Sequence, residues 1–381
     1  MAQRLKTDWI MFAAIVLMVS FGLMMVYSAS SVMAEIKYHS GTHFLYHQIV
    51  WAAGSFFVLM YLKRRDYRAL NSPPWAFGSL GIVLMMLTAV YFLDWRQHRW
   101  FHFGGLASLQ PSEFAKPALA IFLAYFVSRR SSAINSGRYT VLPAALSLGL
   151  LAMLVVIADL GTAVVLVLTA AVVFFVAGLE RRYFLVAASL GILLTTAAVA
   201  AKPYRLARVI GYVDPNYQLL GKVDPHGHIK NYVNESMTTR DPGYQARQSK
   251  IAVGTGGAFG VGLMHSKQKL FYLPEAHTDF IYAVIGEELG MFGCAAVLAG
   301  FLVLLWRGYR LYWTAPDEFG AYLALAITSS LVIQALINIS VVLDLGPTKG
   351  IPLPLISFGG SSLLSSLISL GILLSVSEQS G

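Results

Sequence analysis

Apolar runs of about 20 residues recur along nearly the whole chain, and no other feature restricts its fold as strongly. A run of that length, wound as a helix at about 1.5 Å per residue, spans the hydrocarbon core of a bilayer. Lipid offers no hydrogen bonds, so a spanning segment must satisfy its own backbone, as a helix or within a closed barrel. These runs are read as transmembrane helices by their length. They fall at 9–30, 46–62, 76–93, 113–128, 141–158, 161–179, 183–201, 278–306, 318–343 and 355–377. The fifth and sixth are one stretch broken at Asp159-Leu160-Gly161, about twice a bilayer thickness, so it folds back as a hairpin. Charged residues make up 12% of the chain, against about a quarter in a soluble domain. The expected fold is an all-α integral membrane protein of about ten transmembrane helices, one polytopic domain over residues 1–381. The first run lacks a convincing cleavage site and is read as a retained helix.

Charge orients the bundle. One alternating set of short loops holds Arg4 and Lys6; Lys63, Arg64, Arg65 and Arg68; Arg129, Arg130 and Arg138; Arg181 and Arg182; Arg307 and Arg310. The opposite short loops hold only Lys37, Arg96, Arg99 and Lys349. Thirteen basic residues against four place the first set, and both termini, in the cytoplasm. The net charge of +9 is therefore read as orientation and contact with anionic membrane lipid, not nucleic-acid binding. The lone cysteine, Cys294, excludes an intrachain disulfide and any cysteine-cluster metal site.

Residues 202–277 form a long outer connection, and loops of that length are functional or disordered. It contains the run Gly254-Thr255-Gly256-Gly257-Ala258-Phe259-Gly260-Val261-Gly262, open to two readings: a phosphate cradle or close packing against helices. Ionisable groups inside spans are costly and are functional candidates. Glu113 and Lys116, three apart on one face of the fourth run, form either a structural ion pair or the polar wall of an outward-facing cavity. Asp159 reads as the cap of the sixth helix, ahead of a direct substrate role. Pro274 and Thr278 mark the start of the eighth helix, placing Asp279 in its first turn below a basic loop, where a carboxylate suits a general base. Of the adjacent Glu287 and Glu288, one faces the bundle interior. Gly346-Pro347-Thr348-Lys349-Gly350-Ile351-Pro352-Leu353-Pro354 reads as a rigid, irregular loop, followed by small and hydroxyl residues from Ser357.

These segments resemble the SEDS family of cell-wall polymerases from first helix to last. The resemblance lies in Val26-Tyr27-Ser28-Ala29-Ser30, Gln110-Pro111-Ser112-Glu113 with Lys116, Asp159 with Gly161-Thr162, and Gly243-Tyr244-Gln245 with Gln248-Ser249. The longest segments are Gln268-Lys269-Leu270-Phe271-Tyr272-Leu273-Pro274-Glu275-Ala276-His277-Thr278-Asp279-Phe280 and Pro347-Thr348-Lys349-Gly350-Ile351-Pro352-Leu353-Pro354. In both, the wording is nearer the FtsW branch than the RodA branch. Departures are Ile157-Ala158 before Asp159, His47 before Gln48, and a longer outer loop between Asp214 and Asp241.

The resemblance implies an inverting peptidoglycan glycosyltransferase of cell division. Lipid II would be the donor, undecaprenyl pyrophosphate the leaving group, and the 4-hydroxyl of another lipid II or a nascent glycan the acceptor of a β-1,4 bond. Such a transfer needs a base for the acceptor proton and positive charge at the pyrophosphate. Asp279 is the expected base. Lys116, Arg205, Arg208, Lys250, Lys269 and Lys349 are the candidate phosphate contacts, and Glu113, His277, Thr278 and Ser357 complete the expected substrate-binding set. No cofactor is certain. A divalent cation is a candidate to share the pyrophosphate charge, but no ligand cluster of diagnostic spacing is visible. The implied partners are a class B penicillin-binding protein and other divisome membrane proteins, and the implied location is the bacterial inner membrane at the division septum. The competing readings are a lipid II flippase, whose inverted repeats are not seen, an elongation polymerase of the same family, and a non-catalytic scaffold.

Overall fold

The computed structural model describes residues 7–94, 98–103, 107–214, 224, 243–347 and 350–380. Each of the ten apolar runs coincides with a helix. They are α1 (Trp9–Tyr38), α2 (His43–Lys63), α3 (Pro73–Leu93), α4 (Pro111–Ser128), α5 (Leu142–Ala158), α6 (Leu160–Val176) and α7 (Arg181–Ala200). After two helices of the outer connection, α8 (Pro203–Val213) and α9 (Tyr244–Gly256), come α10 (Ile281–Thr314), α11 (Glu318–Val342) and α12 (Gly360–Glu378). Strands β1 (Phe101–Phe103) and β2 (Ala107–Leu109) form a small antiparallel hairpin.

Among the described residues, eight helices are long and apolar enough to cross a membrane. The other two expected spans are α4, whose first two turns carry Glu113 and Lys116, and α6, which has 17 residues. Two boundaries differ from expectation. α10 starts at Ile281 and, broken by a kink at Gly290 where φ is +64°, continues to Thr314, because Tyr309, Leu311, Tyr312 and Trp313 extend its apolar surface past the run. α12 starts at Gly360, because Leu355 stands in the left-handed region at φ +66° and Gly359, the cap, is extended at φ 163° and ψ 103°.

Ion pairs tie the termini of the spans together at one end of the bundle. Arg307 meets Asp8 at 2.6 Å, Lys63 meets Glu378 at 3.0 Å and Arg68 meets Asp317 at 3.2 Å. Every one of these residues belongs to the end that the basic-residue bias assigns to the cytoplasm. The Asp159 hairpin forms as expected: its Oδ1 accepts the backbone N–H of Gly161 at 2.9 Å and of Thr162 at 3.3 Å, capping α6. At the centre lie α4, α11 and α12. The serines of α12 let backbones approach closely: Ser365 Oγ donates to the Glu113 carbonyl at 2.6 Å. α7 buries none of its residues against the rest of the chain.

From Tyr244 onward the outer connection is packed against the spans. α9 packs on α10, and the glycine run that follows lies backbone to backbone against it. Val261 N donates to the Glu287 carbonyl at 2.9 Å, Gly262 N to that of Glu288 at 3.0 Å, and Met291 N to that of Gly257 at 2.9 Å. A Cβ on Gly260 would strike the Glu288 carbonyl, and one on Gly256 the Gly286 carbonyl. The run is thus a packing device and not a phosphate cradle. Gly260, at φ +81°, also needs the left-handed region. Gly260→Ala is therefore expected to cost at least roughly 2 kcal/mol, from backbone strain plus overpacking, read as a lower melting temperature in detergent.

Both Glu287 and Glu288 face inward. Glu287 accepts from Ser266 Oγ at 2.5 Å and from Lys267 N at 2.8 Å; Glu288 pairs with Lys269 at 2.7 Å and accepts from Ser28 Oγ at 2.5 Å. They seat the 266–269 turn in the bundle.

Candidate active site

Asp279 lies just outside the first turn of α10, not within it. Phe280 holds the cap position and Ile281 begins the helix. The Thr278 hydroxyl does not cap; it donates to the Glu275 carboxylate at 3.0 Å. Three successive backbone carbonyls are each held by a different donor. The His277 carbonyl accepts from Phe358 N at 3.0 Å, the Thr278 carbonyl from Ser357 Oγ at 2.6 Å, and the Asp279 carbonyl from Asn338 Nδ2 at 2.7 Å. The His277 ring sits between Phe44 and Phe358, with centroids 4.7 and 5.6 Å away. Burial pushes its pKa below the ordinary value, against the opposing pull of the Glu275 carboxylate.

The Asp279 side chain is half-buried and faces Gly350; a Cβ there would lie 2.6 Å from its Oδ2. Removal of water pushes its carboxyl up to about 7; the positive charge of Arg99 and, more weakly, Arg208 opposes this, while Glu275 and Asp159 add to it. Arg99 itself meets Asp159 at 3.2 Å, and Gln110 Nε2 and Thr162 Oγ1 donate to the same Asp159 oxygen at 3.3 and 2.9 Å. The site thus brings the carboxylates of Asp279, Asp159 and Glu275 together with Arg99 and Arg208 at the end of the bundle opposite the Asp8–Arg307 and Lys63–Glu378 ion pairs.

The other expected site residues divide. Ser357 and His277 are buried, and with Thr278 they act here as clamps on the Asp279 segment rather than as open ligand contacts. Arg205 donates to the carbonyls of Val156 at 2.9 Å and Ala198 at 3.3 Å, fastening α8 to the ends of α5 and α7; Arg208 follows one turn later, with its charge felt at Asp279. Lys250, exposed on α9, pairs with Asp344 at 2.6 Å. Lys269, expected at a phosphate, has a side chain 3% exposed, and in this arrangement its ammonium pairs with Glu288 at 2.7 Å and donates to Ser28 Oγ at 3.3 Å. Lys349 lies outside the described residues. Glu113 and Lys116 pair at 2.7 Å in a second polar cluster, and Lys116 Nζ also donates to Gln334 Oε1 at 2.5 Å. Gln334 Nε2 in turn donates to the Pro352 carbonyl at 2.8 Å.

Four contributors were not singled out from the sequence: Arg99, Gln48, Gln334 and Asn338. Gln48 Nε2 donates to the Ser357 carbonyl at 3.3 Å, and its Oε1 accepts from Gly359 N at 3.2 Å. A signal for the last two existed, since amides four apart within a span share a face and need partners there. Among the described residues no group of three or more His, Cys, Asp or Glu is placed to hold a metal ion.

Comparison with known proteins agrees with this architecture. Residues 8–381 match the family model of cell cycle proteins that groups FtsW, RodA and SpoVE. Stage V sporulation protein E of Bacillus subtilis is 37% identical, covering 99% of each chain. The probable peptidoglycan glycosyltransferase FtsW of Geobacter sp. strain M18 is 38% identical over 98% of this chain and 97% of its own. A solved chain from a peptidoglycan synthase complex that coordinates polymerization and crosslinking superposes with a TM-score of 0.74 at 27% identity, covering 99% of each chain. The rod shape determining protein RodA of Thermus thermophilus has the same fold, with a TM-score of 0.67 at 24% identity over 98% of this chain and 97% of that one. Matched along nearly its full length in both sequence and fold, the chain is a multi-pass membrane protein of the FtsW, RodA and SpoVE family of cell cycle proteins.

Proposed function

We propose that this chain is a peptidoglycan glycosyltransferase that polymerises lipid II at the outer face of the bacterial inner membrane, with Asp279 as its general base. The observation that carries the assignment is the Asp279 carboxylate, held through its backbone, raised in pKa by burial and set in the field of two arginines. The acceptor 4-hydroxyl gives its proton to Asp279 as its oxygen bonds to the donor sugar C1. The C1–O bond to the pyrophosphate breaks with inversion, and Arg99 and Arg208 supply positive charge to the departing group. The names of the relatives and the synthase complex support this reading and a class B penicillin-binding protein as partner. The division septum is the proposed location, and the resemblance to FtsW supports it.

A base must be unprotonated to act. With its pKa at about 7, kcat/KM should rise with pH through about 7 and fall roughly tenfold per unit below it. A pH–rate profile with purified protein and lipid II checks this. A flat profile between pH 5.5 and 7.5 would remove the carboxylate from the rate-limiting step.

Orientation is tested separately. In a Cys294→Ala background, Asn234→Cys (a position outside the described residues) should react with an impermeant thiol reagent in intact spheroplasts. Ser132→Cys, between α4 and α5, should stay silent until the membrane is opened. The reverse labelling pattern would invert the topology and put Asp279 on the wrong side for an extracytoplasmic polymer.

A further inference from the structure

Gln334 and Asn338 stand four residues apart on α11, hence on one face, and each is 2% exposed. Their amide nitrogens are spent on the proline-rich loop and on the segment it touches. Gln334 Nε2 donates to the Pro352 carbonyl at 2.8 Å, and Asn338 Nδ2 donates at 2.7 Å to both the Ile351 and the Asp279 carbonyls. An amide has two ends of nearly equal size, and its sense is set by its neighbours. For Gln334 the deciding neighbour is Lys116. An ammonium can only donate, so it takes Oε1 and turns Nε2 toward Pro352. Asn338 Oδ1 has no hydrogen-bond partner, so both of its useful contacts are made by the nitrogen.

We infer that Lys116, Gln334 and Asn338 are positioning residues: the buried cation fixes the sense of the Gln334 amide, and the two α11 amides join the 351–352 backbone and the Asp279 backbone into one unit that keeps the carboxylate against Gly350. None of the three touches reacting atoms in this arrangement. Lys116 acts through Gln334, and Gln334 acts through the loop. This gives a role to an ion pair whose side chains are only 7% and 1% exposed. The inference rests on Asp279 as the base.

The test uses full-length protein with lipid II. Asn338→Leu removes both carbonyl contacts at similar volume. Gln334→Glu keeps the oxygen that Lys116 needs and loses the donor to Pro352. Each is expected to lower kcat about 10- to 100-fold, the scale of a misplaced catalytic group, with KM for lipid II within about twofold. The rising limb of the pH profile should move to lower pH, because a loosened segment lets water reach the carboxyl; Arg99, Asp159, Arg208 and Glu275, the charged groups around it, remain in place. Amide exchange across 351–358 should quicken. If Asn338→Leu does not fold, Gln334→Glu carries the same readouts. Glu113→Gln with Lys116→Met should then lower kcat in the wild-type background and add nothing to Gln334→Leu, a combination that leaves no buried charge unpaired. Unchanged kcat, pH limb and exchange in folded variants would overturn the inference. So would a loss in KM alone, which would mean that the amides touch substrate, or full additivity with Lys116. The exchange readout is independent of the chemistry: an active Asp279→Asn protein would defeat the base assignment while leaving the exchange result to judge the positioning.

Discussion

Asp279→Asn lowers glycan synthesis by about 10²–10⁴-fold, the usual worth of general-base help, while lipid II binding and partner binding stay near wild type. The substitution keeps the size of the side chain and leaves the backbone contacts to Ser357, Asn338 and Phe358 untouched, since all three use carbonyls of the segment. It removes only the capacity to take a proton. Asp279→Glu retains a trace: the carboxylate survives, but Gly350 stands where an extra methylene would push it. The rising limb at about pH 7 disappears with the carboxylate. Gel-resolved polymerisation by purified, correctly folded protein gives the answer. Near-wild-type synthesis by Asp279→Asn would move the assignment to Asp159, the neighbouring carboxylate that faces Arg99.

Lys116→Met is the other large effect, and it acts first on stability. It strands Glu113, 1% exposed, without its cation in the centre of the bundle. Breaking one partner of a buried pair costs roughly 3–5 kcal/mol, a large share of a folded protein's margin of about 5–15 kcal/mol. Poor yield and a much lower melting temperature are expected. Glu113→Gln with Lys116→Met removes both charges and restores most of the stability, because a neutral pair has no stranded charge. Its activity remains about tenfold or more below wild type, since Gln334 has lost the donor that orients it. Recovery of full activity along with stability would make the pair purely structural.

The spans were readable because lipid imposes a length and an apolarity that no other environment demands, and the turn at Asp159 because a capping side chain marks its own helix. Asp279 was readable as a position but not as a geometry: the expected cap, Thr278, is instead bonded to Glu275, so the helix begins later. Lys269 looked like one of several loop cations because its partner, Glu288, lies 19 residues on, and helical spacing cannot signal a pair made across an irregular turn. The glycine run allowed both cradle and packing, and only the helix lying against it, with Gly286 and Gly290 as matching gaps, decides between them. Gln334 carried a legible cost, a polar amide in a span, but its link to Lys116 joins α4 and α11 at a sequence distance of 218 residues, which no local pattern encodes.

Under the proposed function this chain itself forms glycosidic bonds between lipid-linked precursors at its outer face. Purified protein, incubated with lipid II in the presence and absence of a class B penicillin-binding protein, tests it most directly. Glycan strands on a gel, absent with Asp279→Asn in both conditions, are the predicted result. Movement of lipid II across vesicle membranes without any polymer, or no reaction even with the partner present, would contradict it.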